Sequence, residues 1–290
     1  VIADEHQWDN LVLDGGLRVT KAWYRHYTER TFNIAGDSLS GRTLRHEWAD
    51  PAVTGTLGAR YTLSAPLSLY AHMAAGTMDV PPGAVSTDAV TLRREKRLVL
   101  DGGILLEQPR TGTLKAGAFA TLRDDAAVLT DTQITEDDET FNTYANRDVR
   151  QYGVEIEGRT APWLDALTVF CGVTAMNSTR ALDDGSWTRY REIPQIIAKA
   201  GLHAAIDRYD AGLFGRYVSG FENKRFAQDG EYHALGRFVD IGLTLGVALG
   251  DERRTRLYLT LENLLDDEYS TVVGFPDFGL RAFVGLQHSM

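Results

Sequence analysis

The run Val239-Asp240-Ile241-Gly242-Leu243-Thr244-Leu245-Gly246-Val247-Ala248-Leu249 alternates, without a break, between aliphatic and small or polar residues. Successive side chains of a β-strand point to opposite faces of the sheet. The stretch therefore predicts a strand with one greasy face and one face of Asp240, Gly242, Thr244, Gly246 and Ala248. The same pattern recurs upstream. Leu11, Leu13, Leu17 and Val19 alternate with Asp14, Gly16, Arg18 and Thr20, and Leu57, Ala59, Tyr61 and Leu63 with Gly58, Arg60 and Thr62. Leu114, Ala116, Ala118, Ala120 and Leu122 do so with Lys115, Gly117 and Thr121, where Phe119 interrupts the polar side. Tyr152, Val154 and Ile156 oppose Gln151, Gly153, Glu155 and Glu157, and Leu257, Leu259 and Leu261 oppose Arg256, Tyr258, Thr260 and Glu262.

No helical period spans the chain. The alternation predicts about twelve strands, near 9–31, 52–63, 67–78, 92–107, 113–131, 140–160, 166–181, 195–206, 211–222, 232–249, 255–273 and 279–290. The connections alternate too. Ser64–Pro66, Pro109–Gly112, Pro162–Asp165, Asp207–Asp210 and Gly250–Arg253 are short and have turn compositions. Residues 34–50, 79–91, 131–139, 182–194 and 223–231 read as longer polar loops. Short turns on one rim and long loops on the other is the plan of an outer-membrane barrel. A soluble β-sandwich shares the alternation but has strands of about 5–6 residues, shorter than several predicted here.

Composition narrows the classes. The 290 residues carry 30 Lys and Arg against 40 Asp and Glu, a net charge of −10. That balance excludes nucleic acid as a partner, since phosphate binding needs clustered cations. With Cys171 alone there is no intrachain disulfide, and Val169 and Val173 beside it suit a small apolar wall residue. No apolar run approaches the ~18 residues of a membrane helix, but barrel strands hide from hydropathy averages because only every second residue meets lipid. The chain starts at Val1, so a leader or an upstream part is expected to have preceded it.

Leu261-Glu262-Asn263-Leu264-Leu265-Asp266-Asp267-Glu268-Tyr269, followed by Gly274-Phe275-Pro276, Gly279 and a last strand from Arg281 to Leu286, resembles the closing "EN-L-D-x-x-Y" hairpin of TonB-dependent outer-membrane receptors. Asn146, Gly153 and Glu155 resemble the family's "N-x-x-x-x-x-x-G-x-E" strand; Arg94-Glu95-Lys96 is similar to its "P-E-x" strand start, and Gly15-Gly16-Leu17-Arg18 to its "GLRY" strand. Asn263 and Asp266 suit side-chain-to-backbone bonds at a strand interruption, and Gly274, Pro276 and Gly279 a tight reversal. Two departures stand out. The family typically ends in an aromatic residue that the barrel-assembly machinery reads, whereas this chain ends His288-Ser289-Met290, and no plug is found.

The resemblance implies an all-β fold. It implies an antiparallel transmembrane β-barrel, with residues 1–290 expected to be the C-terminal part of a roughly 22-stranded wall whose plug and first strands lie outside this chain. It implies a non-enzymatic importer in the outer membrane of a Gram-negative bacterium, in contact with lipid and energised by the TonB complex. Its ligand class is foremost a ferric siderophore, with cobalamin, haem, oligosaccharide or a plain diffusion pore as alternatives. Alone, the segment is expected to form an open curved sheet, or a narrow barrel in which the strand near Leu11–Val19 pairs with that near Leu280–Met290.

Candidate chemistry is sparse. His26, His46, His72 and His203 have no metal-ligand spacing, Asp124-Asp125 and Glu136–Glu139 read as solvated acidic loops, and no cofactor is implied. Trp187, Arg189 and Tyr190 fall in one predicted loop, where aromatic and guanidinium groups suit an anionic aromatic ligand. Trp187 and Tyr190 equally suit an interfacial aromatic girdle, as does Trp163 beside a short turn.

Overall fold

The computed structural model describes the backbone of residues 1–33, 38–80, 84–87, 90–136, 139–223, 233–250, 252–272 and 275–289. Every regular element in them is a strand. The first half holds β1 (Ile2–Trp8), β2 (Leu11–Thr20), β3 (Trp23–Asn33), β4 (Ser38–Trp48), β5 (Ala52–Ser64), β6 (Leu67–Met78), β7 (Val85–Thr87), β8 (Glu95–Gln108), β9 (Gly112–Glu136) and β10 (Glu139–Thr160). The second holds β11 (Leu167–Ala181), β12 (Trp187–Arg189), β13 (Ile196–Ile206), β14 (Tyr209–Val218), β15 (Phe221–Asn223), β16 (His233–Leu235), β17 (Phe238–Leu249), β18 (Thr255–Glu262), β19 (Ser270–Val272), β20 (Phe275–Pro276) and β21 (Arg281–His288).

Neighbours in sequence are neighbours in the sheet. Antiparallel pairing runs β1-β2-β5-β6-β8-β9-β10-β11-β13-β14-β17-β18-β21. β3 and β4 pair above β2 and β5, so that 11–33 and 38–64 form one long hairpin interrupted near Ala22 and Ala49, which bond across the break. Among the described residues nothing pairs β1 with β21, and β2 is paired on both sides, by β1 and β5. The sheet is therefore open, not closed through Leu11–Val19.

The described staves number thirteen in this order, one more than the alternation predicts. The extra one is β1, whose apolar-face positions include Asp4 and His6, opposite Gly15 and Leu13, so its alternation carries no hydrophobic signal. Within the expected loop 34–50, Ser38–Trp48 is strand. Within the expected loop 131–139, β9 continues to Glu136 and β10 begins at Glu139. At ~3.3 Å per residue, β9 spans roughly 80 Å, well beyond the 9–11 residues that cross a bilayer. The expected loop 223–231 and Gly274 lie largely outside the described residues.

The register explains why the alternation matters. Leu202 is opposite Val169 and Leu213, Leu213 is opposite Leu243, and Leu243 is opposite Leu261. Ala116 is opposite Ile104 and Ile156, and Ile156 opposite Val173. One face is thus a continuous aliphatic band, open to the surroundings at Leu57, Ile104, Ile156, Val173, Leu202 and Leu245. Cys171 sits in it, exposed, as a wall residue. All five tryptophans are exposed and fall at two levels. Trp8 is opposite Leu11 at the short-turn rim and Trp163 lies in a short turn, while Trp23 is opposite Trp48, and Trp187 opposite Ala181, toward the loops. From Leu11 to Trp23 is ~40 Å of strand, or about 30 Å along the axis at a typical tilt, the height of a hydrocarbon core.

The other face is charged and paired. Lys115 donates to Glu155 (2.7 Å) and Arg216 to Asp240 (3.4 Å); Arg281 pairs with Glu262 (3.0 Å), Arg60 with Glu107, Lys199 with Glu157 and Arg256 with Asp210. Glycines let larger neighbours lie flat there. A Cβ on Gly153 would come within 2.7 Å of the Phe119 ring and 2.4 Å of the Ala175 carbonyl oxygen, and one on Gly285 within 2.3 Å of Tyr258. Phe119, which interrupts the polar alternation in sequence, is seated on a residue without a side chain.

Candidate ligand-binding site

Asn146 organises the loop end of the wall. Its Nδ2 donates to the carbonyls of Asp125 (2.6 Å) and Arg93 (3.0 Å), and its Oδ1 accepts the Arg93 N–H (2.7 Å). Asp125 has a left-handed backbone (φ 58°) at the register shift of the β9/β10 pair. One amide side chain thus ties the bulge to the segment that feeds β8. Seven residues on, Gly153 seats Phe119, and then Glu155 takes Lys115. The three marked positions of that strand are a clamp, a seat and an ion pair. Arg94 ties the same segment to the β5 approach, donating to the carbonyls of Asp50 (2.8 Å) and Pro51 (3.0 Å) and pairing with Asp79 (2.6 Å).

Beside this clamp is a cleft of about 730 Å³. Its walls include Ser86 and Arg93 from the β6–β8 connection, Thr130, Tyr144 and Arg147 from β9 and β10, and Arg180 from β11. β7 forms one side: it pairs in parallel with β3 at Arg30–Phe32 and with β10 at Thr143–Tyr144, bridging two long hairpins. Val85 and Ser86 are almost fully buried there, with Val85 against Ile134 and Phe141. Three arginines, Arg93, Arg147 and Arg180, line the cleft. Arg93 is paired with Asp125 and Arg147 with Asp183 (2.6 Å each), and Asp183 is 85% exposed, a partner that water screens. The chemistry offered is cationic, with amide and hydroxyl groups and no metal-ligand cluster among the described residues.

Trp187, Arg189 and Tyr190 are adjacent in sequence and are not brought together. Trp187 and Arg189 stand opposite Ala181 and Thr179, on the aliphatic-band face of β11. Tyr190 turns the other way. Its N–H donates to the Ser178 carbonyl (2.8 Å) and its ring packs against Ala126, Val128 and Val149. Burial, with Glu192 beside it, pushes its hydroxyl up to about 12. Burial also raises the Glu192 carboxyl, against the opposing pull of Arg180. Val128 and Arg180 line the cleft, so the 190–192 turn backs it.

The closing hairpin has a comparable hub. Asn263 is fully buried with φ 51°. Its Nδ2 donates to the Asp267 carbonyl (2.9 Å) and Asp277 Oδ1 (3.3 Å), and its Oδ1 accepts the Asp267 N–H (3.1 Å). Asp266 Oδ1 accepts the Leu280 N–H (2.8 Å), and Tyr269 stacks on Phe238 at 3.9 Å. Both marked side chains bond backbone at the interruption after β18, as the sequence predicts.

The family model "TonB dependent receptor-like, beta-barrel" matches residues 2–264. The chain belongs to the TonB-dependent receptor β-barrel family. Among solved structures, the copper transporter OprC is similar over 98% of this chain and 47% of its own, at 16% identity and a TM-score of 0.70. The FrpB iron transporter from Neisseria meningitidis is similar over 99% and 44%, at 13% and 0.67. The ferric yersiniabactin uptake receptor FyuA from Yersinia pestis is similar over 97% and 42%, at 20% and 0.61. This chain spans less than half the length of these receptors, and at such identities the likeness is one of fold. No curated protein matches it. In a receptor barrel the aliphatic band is the outer surface and the ion-paired face the lumen.

Proposed function

We propose that this chain is the C-terminal part of the wall of a larger receptor barrel in a Gram-negative outer membrane. Through the TonB complex it imports a scarce anionic ligand, foremost a ferric siderophore. The observation that carries the reading is the arginine-lined cleft, which opens at the loop end of a wall whose outer face bears an aliphatic band and two tryptophan levels. Cations beside amide and hydroxyl donors suit a polydentate, negatively charged chelate. The names of the iron and siderophore receptors of like fold support the ligand class. Arg93, Arg147 and Arg180 are the proposed contacts, with Tyr190 holding the wall behind them.

The test is growth on, and uptake of, a panel of ferric siderophores by the full-length receptor in a strain lacking its own. Arg147→Ala with Arg180→Ala is expected to lower uptake at least tenfold. Uptake that survives collapse of the proton gradient would assign a diffusion pore instead, and activity on haem or cobalamin alone would reassign the ligand.

A further inference from the structure

The outer face carries a row of polar donors that the import reading does not use. Arg150 is opposite Thr179, and Thr179 opposite Arg189, so the three stand side by side on three adjacent strands. At ~4.8 Å per strand the two arginines are about 10 Å apart across the threonine. Both are exposed, and among the described residues neither forms an ion pair. The Arg150 guanidinium instead lies over the Trp187 ring, 4.2 Å from its centroid, which fixes the group and leaves its N–H edge free. One step toward the short turns, Asn177 donates to the Tyr152 hydroxyl (2.8 Å). Below that pair come Val154 opposite Ala175 and Ile156 opposite Val173. The order from mid-wall to loops is aliphatic, then tyrosine and asparagine, then arginine and threonine, beside a tryptophan of the upper level.

The nearest carboxylates on this face lie further toward the loops. Asp148 accepts the Asp125 N–H (3.3 Å), and Asp124 stands opposite Lys96. The arginine row is thus the charge that borders the aliphatic band.

We propose that Arg150, Thr179 and Arg189, with Trp187, form a binding site for the phosphorylated headgroup of an outer-leaflet lipid, whose acyl chains lie on Val154, Ile156 and Val173. The occupant is argued from charge complementarity and from continuity with the lipid-facing band. Two unpaired guanidinium groups flanking a hydroxyl fit one phosphate oxygen set, and a freely diffusing anion would gain nothing from the aliphatic surface directly below. The inference rests on the outer-membrane reading above, but its assay involves no imported ligand, so its failure leaves the import reading standing.

The test is native mass spectrometry of the full-length receptor in mild detergent, titrated with lipid A and with dephosphorylated lipid A. Wild-type receptor is expected to retain lipid A at least fivefold over the dephosphorylated form, a comparison that needs no variant. Arg150→Gln with Arg189→Gln is expected to abolish that preference while the protein still migrates as a folded, heat-modifiable barrel. Equal retention of the two lipids by wild type overturns the proposal, as does an undiminished preference in the double variant. Displacement of lipid A by millimolar inorganic phosphate would make the site one for free phosphate and would also overturn it.

Discussion

Replacing Asn263 separates the two contributions of that buried hub. In Asn263→Ala, three side-chain hydrogen bonds disappear, two of them to the backbone of Asp267 and one to Asp277. Each is worth about 1 kcal/mol net, and buried partners left without a replacement add to the loss. Position 263 also has φ 51°, where alanine costs a further ~1 kcal/mol that asparagine tolerates better. The expected loss is roughly 3–5 kcal/mol. Asn263→Gly removes the same bonds but accepts the backbone angle, so it should lose about 1 kcal/mol less. Urea unfolding of the receptor in liposomes, followed by tryptophan fluorescence, reads both variants against wild type. If alanine costs under 1 kcal/mol, or glycine is worse than alanine, the assignment of Asn263 as a left-handed hub is wrong.

Other outcomes follow from the two faces. Leu245→Arg places a charge in the aliphatic band between Ala211 and Leu259 and should cost ~2–4 kcal/mol at mid-bilayer depth. The same change at Thr244, on the lumen face, should cost far less; equal losses in liposome unfolding would mean the register is inverted. Epitope tags at Ser186 and Arg110 should be labelled on intact cells at Ser186 only, and labelling at Arg110 alone would reverse the topology. The raised Glu192 carboxyl favours the docked 182–195 segment below the ordinary carboxylate range, and that contribution is lost as pH rises through the raised value. Protection factors across 182–195, which remove the pH dependence of intrinsic exchange, should therefore fall as pH rises through the raised value, and Glu192→Gln should flatten that fall.

How much of this was readable in the chain depends on what each residue's neighbours are. Between Val239 and Leu249 one strand decides its own two faces, so the period-two pattern suffices. The closing motif was equally legible, because Asn263 and Asp266 bond within their own hairpin. β1 was hidden because Asp4 and His6 occupy its apolar-face positions, and β4 because Ser38–Trp48 reads as polar loop. The cleft could not be read at all: Arg93, Arg147 and Arg180 come from three segments that only the Asn146 clamp and the sheet register bring together. Trp187, Arg189 and Tyr190 show the converse. They are adjacent in sequence, yet the alternation that revealed the strands also sends Tyr190 to the face opposite Trp187 and Arg189.

The paired charges of the lumen face make most of that wall electrically quiet. A cation 2.7 to 3.4 Å from its carboxylate presents the passing solute with a dipole, whose field fades within a few ångströms, not with an unshielded charge. On the proposed import reading, cargo that leaves the arginine-lined mouth would pass surfaces that hold it only weakly. On that reading the mouth is a site strong enough to fill, and the paired wall below it a path too weak to hold.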